Sequence, residues 1–209
     1  MREVLAYGEL VARPRRVEYS GAIQHIAVNA NNREMLFRDD DDRRLCLALI
    51  ASTSVRYGWD AWAYCLMDTH WHAVIHTPEP TLSAGMQRLN TLYSRMFNRR
   101  HGRSGHSIRH RFMSVSVEDG DHLTELTRYL PLNPVRAGLV SHPEHWHWSS
   151  YRAEIDLVAR PLWLRTDWAT RLHGSVDALR RYVDAGIELA VPHQPDPGVI
   201  LLSPRRPGG

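Results

Sequence analysis

Residues 67–77 read MDTHWHAVIHT and place His70, His72 and His76 in one short apolar run. In an extended strand, residues two apart share a face, so His70 and His72 project together while Trp71 projects to the other side. Two neighbouring imidazoles can ligate one divalent cation without rearranging the backbone, or they can be surface histidines in a chain that holds 13 of them. His76 shares their face but lies about 13 Å from His72 by strand rise, too far to serve the same ion. A further ligand must come from elsewhere. Tyr129 and Asn133, spaced i and i+4 in RYLPLN, share one helix face. Tyr129 sits at the edge of a leucine stripe, where it is either a reactive hydroxyl or a half-buried packing residue.

All 26 basic residues are arginine, and the window 81–117 holds seven of them with no aspartate or glutamate. These are Arg88, Arg95, Arg99, Arg100, Arg103, Arg109 and Arg111. Arg88, Arg95 and Arg99 fall on one side of a helix, opposite the leucines. An acid-free basic window with Tyr93, Phe97 and Phe112 interleaved suits a nucleic-acid groove, with arginines on phosphates and rings under unpaired bases. The alternatives are a solvated arginine face with the rings in the core, and a coding bias toward arginine over lysine.

The elements that must position these residues follow from periodicity. AIQHIAVNA (22–30) reads as a strand. The run from Asp39 reads as a helix with acids in its first turn and Leu45, Leu49 and Val55 on its buried side, stopped by Gly58. WDAWAYCLM and HWHAVIHT read as a hairpin turning at Asp68 and Thr69. Leu82, Met86, Leu89, Tyr93 and Met96 mark a second helix to about Asn98. FMSVSVE reads as a fourth strand, and Leu123, Leu126 and Leu130 mark a helix over 121–133. The order β-α-β-β-α-β plus a helix predicts an α+β, ferredoxin-like (RRM-like) antiparallel sheet with helices on one face. Two short helices around 166–173 and 175–187 follow, and the proline- and glycine-rich tail 191–209 is expected to be extended or flexible.

At 209 residues the chain is sized for one domain with an appendage. No apolar run reaches the roughly 18 residues of a membrane span, and the first residues lack a signal-peptide core, so a cytoplasmic protein is expected. Cys46 and Cys65 lack metal-binding spacing and are expected to be reduced and packed.

With these motifs assembled, the sequence resembles the single-tyrosine HUH transposase family, comprising insertion-sequence transposases and REP-associated tyrosine transposases. HWH at 70–72 fits the family's His-hydrophobic-His signature. GAIQHIAVNANNREMLFRDDDDR, YCLMDTHWH, LNTLYSRMFNRRHGRSG, RHRF, RYLPLNPVRAGLV and WSSY extend the likeness in one order over about 13–152. That range would be the catalytic domain, with 153–190 a small helical extension. The resemblance implies that His70, His72 and Asn133 hold a divalent metal, magnesium or manganese, and that Tyr129 is the nucleophile. It implies single-strand cutting and strand transfer at hairpin-like DNA through a 5′-phosphotyrosine, by a monomer or homodimer. A non-cleaving binder of structured single strands and an HUH replication initiator are the competing readings. Two departures from the family pattern stand out. Thr69 replaces the asparagine often found before the first histidine. Pro131 removes a helical N–H between Tyr129 and Asn133 and predicts a kink there.

Overall fold

The computed structural model describes residues 17–31, 34–109, 112–118 and 120–188. The strands are β1 (Ala22–Asn29), β2 (Asp60–Leu66), β3 (His70–Thr77) and β4 (Met113–Ser116). The helices are α1 (Asp40–Tyr57), α2 (Leu82–Arg100), α3 (Gly120–Arg136), α4 (Tyr151–Glu154), α5 (Asp167–His173) and α6 (Val176–Asp184), with a 3-10 turn at Pro143–His145. The sheet runs β2-β3-β1-β4 with every pairing antiparallel, the ferredoxin-like order that the element sequence predicts. Residues 13–16 and the tail 191–209 lie outside the described residues.

α1 begins where the Asp39 carboxylate accepts from the backbone N–H groups of Asp41 and Asp42, at 3.0 and 3.1 Å. It ends at Gly58, whose φ of 66° suits glycine. Its buried side runs through Cys46, Leu49, Ile50 and Thr53. Val55, expected on that side, has rotated away two residues past Thr53 and is 80% exposed. In α2 the buried side is Leu82, Met86, Leu89, Tyr93 and Phe97, so Phe97 and not Met96 closes the stripe. Gly85 lets α2 approach the sheet: a Cβ there would stand 2.1 Å from the Trp59 ring.

The sheet separates two apolar clusters. α1 and α2 pack with Ile26, Val28, Leu66, Trp71, Ala73 and Ile75 on one face. On the other face Ala63, Cys65, Val74 and Val117 meet Leu126, Leu130 and Leu132 of α3, together with Tyr151, Ile155, Trp168, Leu179 and Val183. The two crossover helices thus share one face as expected, and the helix after the last strand lies across the other. A register shift between Ala61 and Ala63 turns β2 from the first cluster to the second and leaves Trp62 to stack on Trp168 at 5.7 Å. Tyr151, Ile155, Trp168, Leu179 and Val183 therefore roof the second face, packed in one core with α3. Both cysteines are free and buried, Cys46 under α1 and Cys65 under α3, and burial pushes both thiols up. Among the described residues no helix is long and apolar enough to cross a membrane.

Candidate active site

β3 is an inner strand, and its alternation sends Trp71 into the first cluster while His70 and His72 face the side covered by α3. The two rings stand 5.1 Å apart between centroids, nearly perpendicular at 85°. Thr69 Oγ1 lies 3.1 Å from His70 Nδ1, so the residue that departs from the family pattern engages the first histidine. A third imidazole comes from β1. Ala27 pairs with His72 and His25 with Val74, which makes His25 the diagonal neighbour of His72. Their ring planes lie 16° apart with centroids 5.3 Å apart, and His25 Nε2 lies 3.2 Å from His72 Nδ1.

Burial pushes His25 down to about 3, helped by the nearby His122, and pushes His72 well below the usual histidine range, helped by His25 and His70. His25 and His72 are therefore neutral at neutral pH, the form that carries a lone pair for a metal. His76 stands apart: it bonds Asp60 at 3.1 Å and stacks on Trp62 at 5.7 Å.

Tyr129 meets this group from α3. Its ring is edge-on to His72 at 5.6 Å and to His25 at 5.8 Å. The Arg136 guanidinium, two turns further along α3, lies 5.3 Å from the Tyr129 ring. Tyrosine and histidine pair thus come together within one chain.

The helix carrying Tyr129 runs through both Pro131 and Pro134, so Pro131 does not end it before Asn133. Pro134 cannot donate to the Leu130 carbonyl, the bond a regular helix would make there. The Asn133 amide supplies it instead, donating from Nδ2 to Leu130 O at 3.3 Å and to Tyr129 O at 2.7 Å. The outer side of α3 is held by the C-terminal helices. Thr127 Oγ1 is 2.9 Å from His173 Nε2, and Tyr182 donates to Glu125 at 2.8 Å while its ring underlies Arg128 at 4.9 Å.

The arginine window divides by location. Arg88, half-buried, and Arg95 and Arg99, exposed, ride on α2, on the sheet face opposite the histidines. Arg100 pairs with Asp39 and Asp42 at 2.7 Å and with Asp41 at 3.3 Å, which holds Asp39 down at about 2. Arg103 pairs with Glu34. Arg109 is exposed, and its backbone N–H donates to Asn29 O at 2.8 Å, beside the position paired with His70. Arg111 lies outside the described residues. Tyr93, Phe97 and Phe112 are buried in the first cluster, so they are core residues and not surfaces on which bases stack.

Among the described residues, Asp39, Asp42 and His101 form the one acid-and-histidine trio with converging ligand atoms. Arg100 already pairs with both carboxylates at 2.7 Å, His101 Nε2 lies 2.9 Å from Asp42, and the trio sits at the N-terminal cap of α1. Sequence reading missed His25 and Arg136. The signal for His25 was a lone ring among apolar residues of a strand that pairs with HWH; Arg136 lies seven residues after Tyr129, two helical turns along.

A family profile described as "Transposase IS200 like" matches residues 18–132, which include His25, His70, His72 and Tyr129 and stop one short of Asn133. The solved structure of a REP-associated tyrosine transposase bound to a REP hairpin aligns with TM-score 0.61 and 18% identity, over 72% of this chain and 89% of that one, a likeness of fold. A tRNA(His) guanylyltransferase from Saccharomyces cerevisiae aligns with TM-score 0.43 and 8% identity over 83% and 81% of the two chains, too loosely to carry an argument. A search of curated proteins gave no significant match.

Proposed function

We propose, from the premise that the chain belongs to the IS200-like transposase family and is thus a DNA-processing enzyme, that it cuts and rejoins single-stranded DNA beside hairpins. Tyr129 is the nucleophile in this reading. The observation that carries it is the edge-on contact of Tyr129 with His72 at 5.6 Å, on the same sheet face as the histidine pair. Attack of the Tyr129 oxygen on a backbone phosphorus forms an O–P bond and breaks the P–O3′ bond. One DNA end is left as a 5′-phosphotyrosine and the other as a 3′-hydroxyl, so the reverse step with a different 3′-hydroxyl joins strands without ATP.

The residues present suit a divalent cation. His72 is held neutral by burial, and Thr69 and His25 engage the Nδ1 atoms of His70 and His72. His70 and His72 would hold magnesium or manganese, with Asn133 Oδ1 as a third donor because Asn133 Nδ2 is committed to helix carbonyls. Such an ion supplies neutralisation of charge on the phosphate's non-bridging oxygens. Arg136, beside the Tyr129 ring, attracts the same phosphate and stabilises a developing phenolate. Arg109, at the histidine end of β1, is the member of the arginine window best sited to hold the DNA backbone near the cut. Arg88, Arg95 and Arg99 would serve only a strand that wraps to the α2 face.

The meeting of Tyr129 and His72 within one chain supports a monomer as the acting unit. The expected substrate is a REP-like hairpin with a single-stranded flank; the solved relative is bound to a REP hairpin. The test is a 3′-labelled hairpin oligonucleotide incubated with the protein and Mn²⁺ and resolved under denaturing conditions. A covalent adduct with the wild type and none with Tyr129→Phe is expected; an adduct that survives Tyr129→Phe overturns the assignment. Tight hairpin binding with no cleavage, indifferent to chelator, would identify a non-cleaving binder instead. Continuity of α3 through Pro131 supports the cutting reading over that alternative.

A further inference from the structure

His25 is the buried ring of the site that the reading above leaves without a task. It is 3% exposed, comes from β1 rather than from the HWH strand, and touches both His72 and Tyr129. Its closest polar contact is Nε2 to His72 Nδ1, at 3.2 Å. A hydrogen bond between two imidazole nitrogens carries one proton, so one ring donates and the other accepts. The two choices have different consequences for His72. If His25 donated, His72 would accept at Nδ1, carry its proton on Nε2 and have no ring lone pair left to give a metal. If His72 donates from Nδ1, its Nε2 is bare and can ligate.

We propose that His25 is a positioning residue: its Nε2 accepts from His72 Nδ1–H, fixing His72 in the tautomer whose Nε2 faces a metal. The inference rests on the proposed metal role of His70 and His72. The neutral His25 then carries its own proton on Nδ1. The two ring planes lie within 16° of each other, which keeps the contact close to the plane in which the His72 lone pairs lie. Metal-bound histidines commonly hand their second nitrogen to an acceptor of this kind, most often a carboxylate or carbonyl. Here the acceptor is an imidazole, which places no fixed negative charge beside a phosphodiester substrate. Thr69, at 3.1 Å from His70 Nδ1, stands in the corresponding place for the other histidine. If His25 were only a core filler, a phenyl ring would replace it without loss.

The experiment uses the full chain without DNA. Mn²⁺ affinity is read from the paramagnetic resonance of free Mn²⁺ for wild type, His72→Ala, His25→Phe and His25→Gln, with apo melting curves alongside. His72→Ala should lose binding. His25→Phe keeps a ring but no acceptor and should weaken binding roughly 10- to 100-fold. His25→Gln offers an amide oxygen in place of Nε2 and should recover most of that loss. His25→Phe binding as tightly as wild type, with His72→Ala still inactive in binding, overturns the positioning role and spares the metal site. Equal weakness of the Phe and Gln variants also overturns it. Wild type that fails to bind, or His72→Ala that binds normally, removes the metal reading and the inference with it. A measurement independent of metal and of variants closes the test. In the apo wild type, long-range ¹H–¹⁵N correlation should show His72 protonated at Nδ1, and protonation at Nε2 overturns the proposal.

Discussion

The two faces of the sheet are built from the same strands and do opposite work. On the α1/α2 face, Trp71, Ala73 and Ile75 of β3 are buried among Ile26, Val28, Met86, Leu89 and Phe97. On the α3 face the alternate residues of the same strand are His70, His72, Val74 and His76, and β1 adds His25. Each imidazole buried there loses hydration that an apolar residue would not have needed. For His25 and His72 the loss is met by pairing the two rings, at 3.2 Å, whereas the half-buried His76 pairs with the Asp60 carboxylate at 3.1 Å. Burial keeps His25 and His72 neutral. The other face supplies the rigidity that holds them in place. The separation is possible because a strand's side-chain period is two, so one strand serves both tasks one residue apart.

The largest expected effect comes from changing the reactive face without touching the packing face. Tyr129→Phe removes one hydroxyl from a half-buried ring, and adduct formation should fall by roughly 10⁴-fold or more. Melting temperature should hold within about 2 °C, because the ring contacts remain. A comparable loss of stability together with activity would mean that the hydroxyl is structural. The complementary change is Trp71→Ala, one residue from the histidines but 1% exposed in the other cluster. It should cost about 3–5 kcal/mol of unfolding free energy in urea melts. A cost below about 1 kcal/mol would show that the first cluster does not carry the fold.

The comparison sharpens at Glu154, where α4 passes between the clusters: Ala153 packs in the first and Ile155 in the second. Glu154 is 4% exposed, accepts from Ser150 at 2.6 Å, and is pushed up to about 7 by burial, partly offset by that hydrogen bond. A carboxyl whose folded pKa is raised binds its proton more tightly when folded. Stability contributed by the neutral acid is thus full below the unfolded value of about 4.5 and is lost progressively up to pH 7. Glu154→Gln should be near neutral at pH 5 and stabilise by about 3 kcal/mol at pH 8, read from chemical denaturation at the two pH values. Equal effects at both would place the ionised carboxylate in water. His25, pushed down to about 3, works with the opposite sign: its contribution is full above about pH 6.5 and declines as acid is added toward pH 3.

Local periodicity made much of this architecture legible. The HWH alternation, the turn at Asp68 and Thr69, the Leu82–Tyr93 stripe and the stop at Gly58 each depend on neighbours within a few positions. Val55 and Met96 were misplaced because a handful of apolar residues can be threaded by two helical stripes, and only the sheet decides which stripe is buried. The arginine window needed longer-range information to be read in space. Arg100 is met by Asp39, Asp41 and Asp42, which belong to the first turn of α1 or its cap about sixty residues earlier. An acid-free window in sequence is therefore not acid-free in space. His25 needed the β1–β3 register, and no motif carries that information.

The smallest expected effect concerns Asn133, where the two tasks meet in one side chain. Its Nδ2 satisfies the Leu130 carbonyl that Pro134 leaves without a helical donor, while its Oδ1 is the proposed metal donor. Asn133→Ala removes both functions, whereas Asn133→Asp removes the N–H donor and keeps an oxygen. Both should lower stability by about 1 kcal/mol, a shift of a few degrees in melting temperature. Only Asn133→Ala should lose Mn²⁺ affinity, since a carboxylate oxygen ligates manganese at least as well as an amide. Adding Pro134→Ala returns a backbone N–H to Leu130 O, so it should recover the stability of Asn133→Ala without recovering its metal binding. If the double variant regained both, Asn133 would serve the metal only by keeping α3 straight. If Asn133→Ala bound Mn²⁺ normally from the outset, the residue four after Tyr129 would belong wholly to the helix, and the histidine pair would need its third donor from another element.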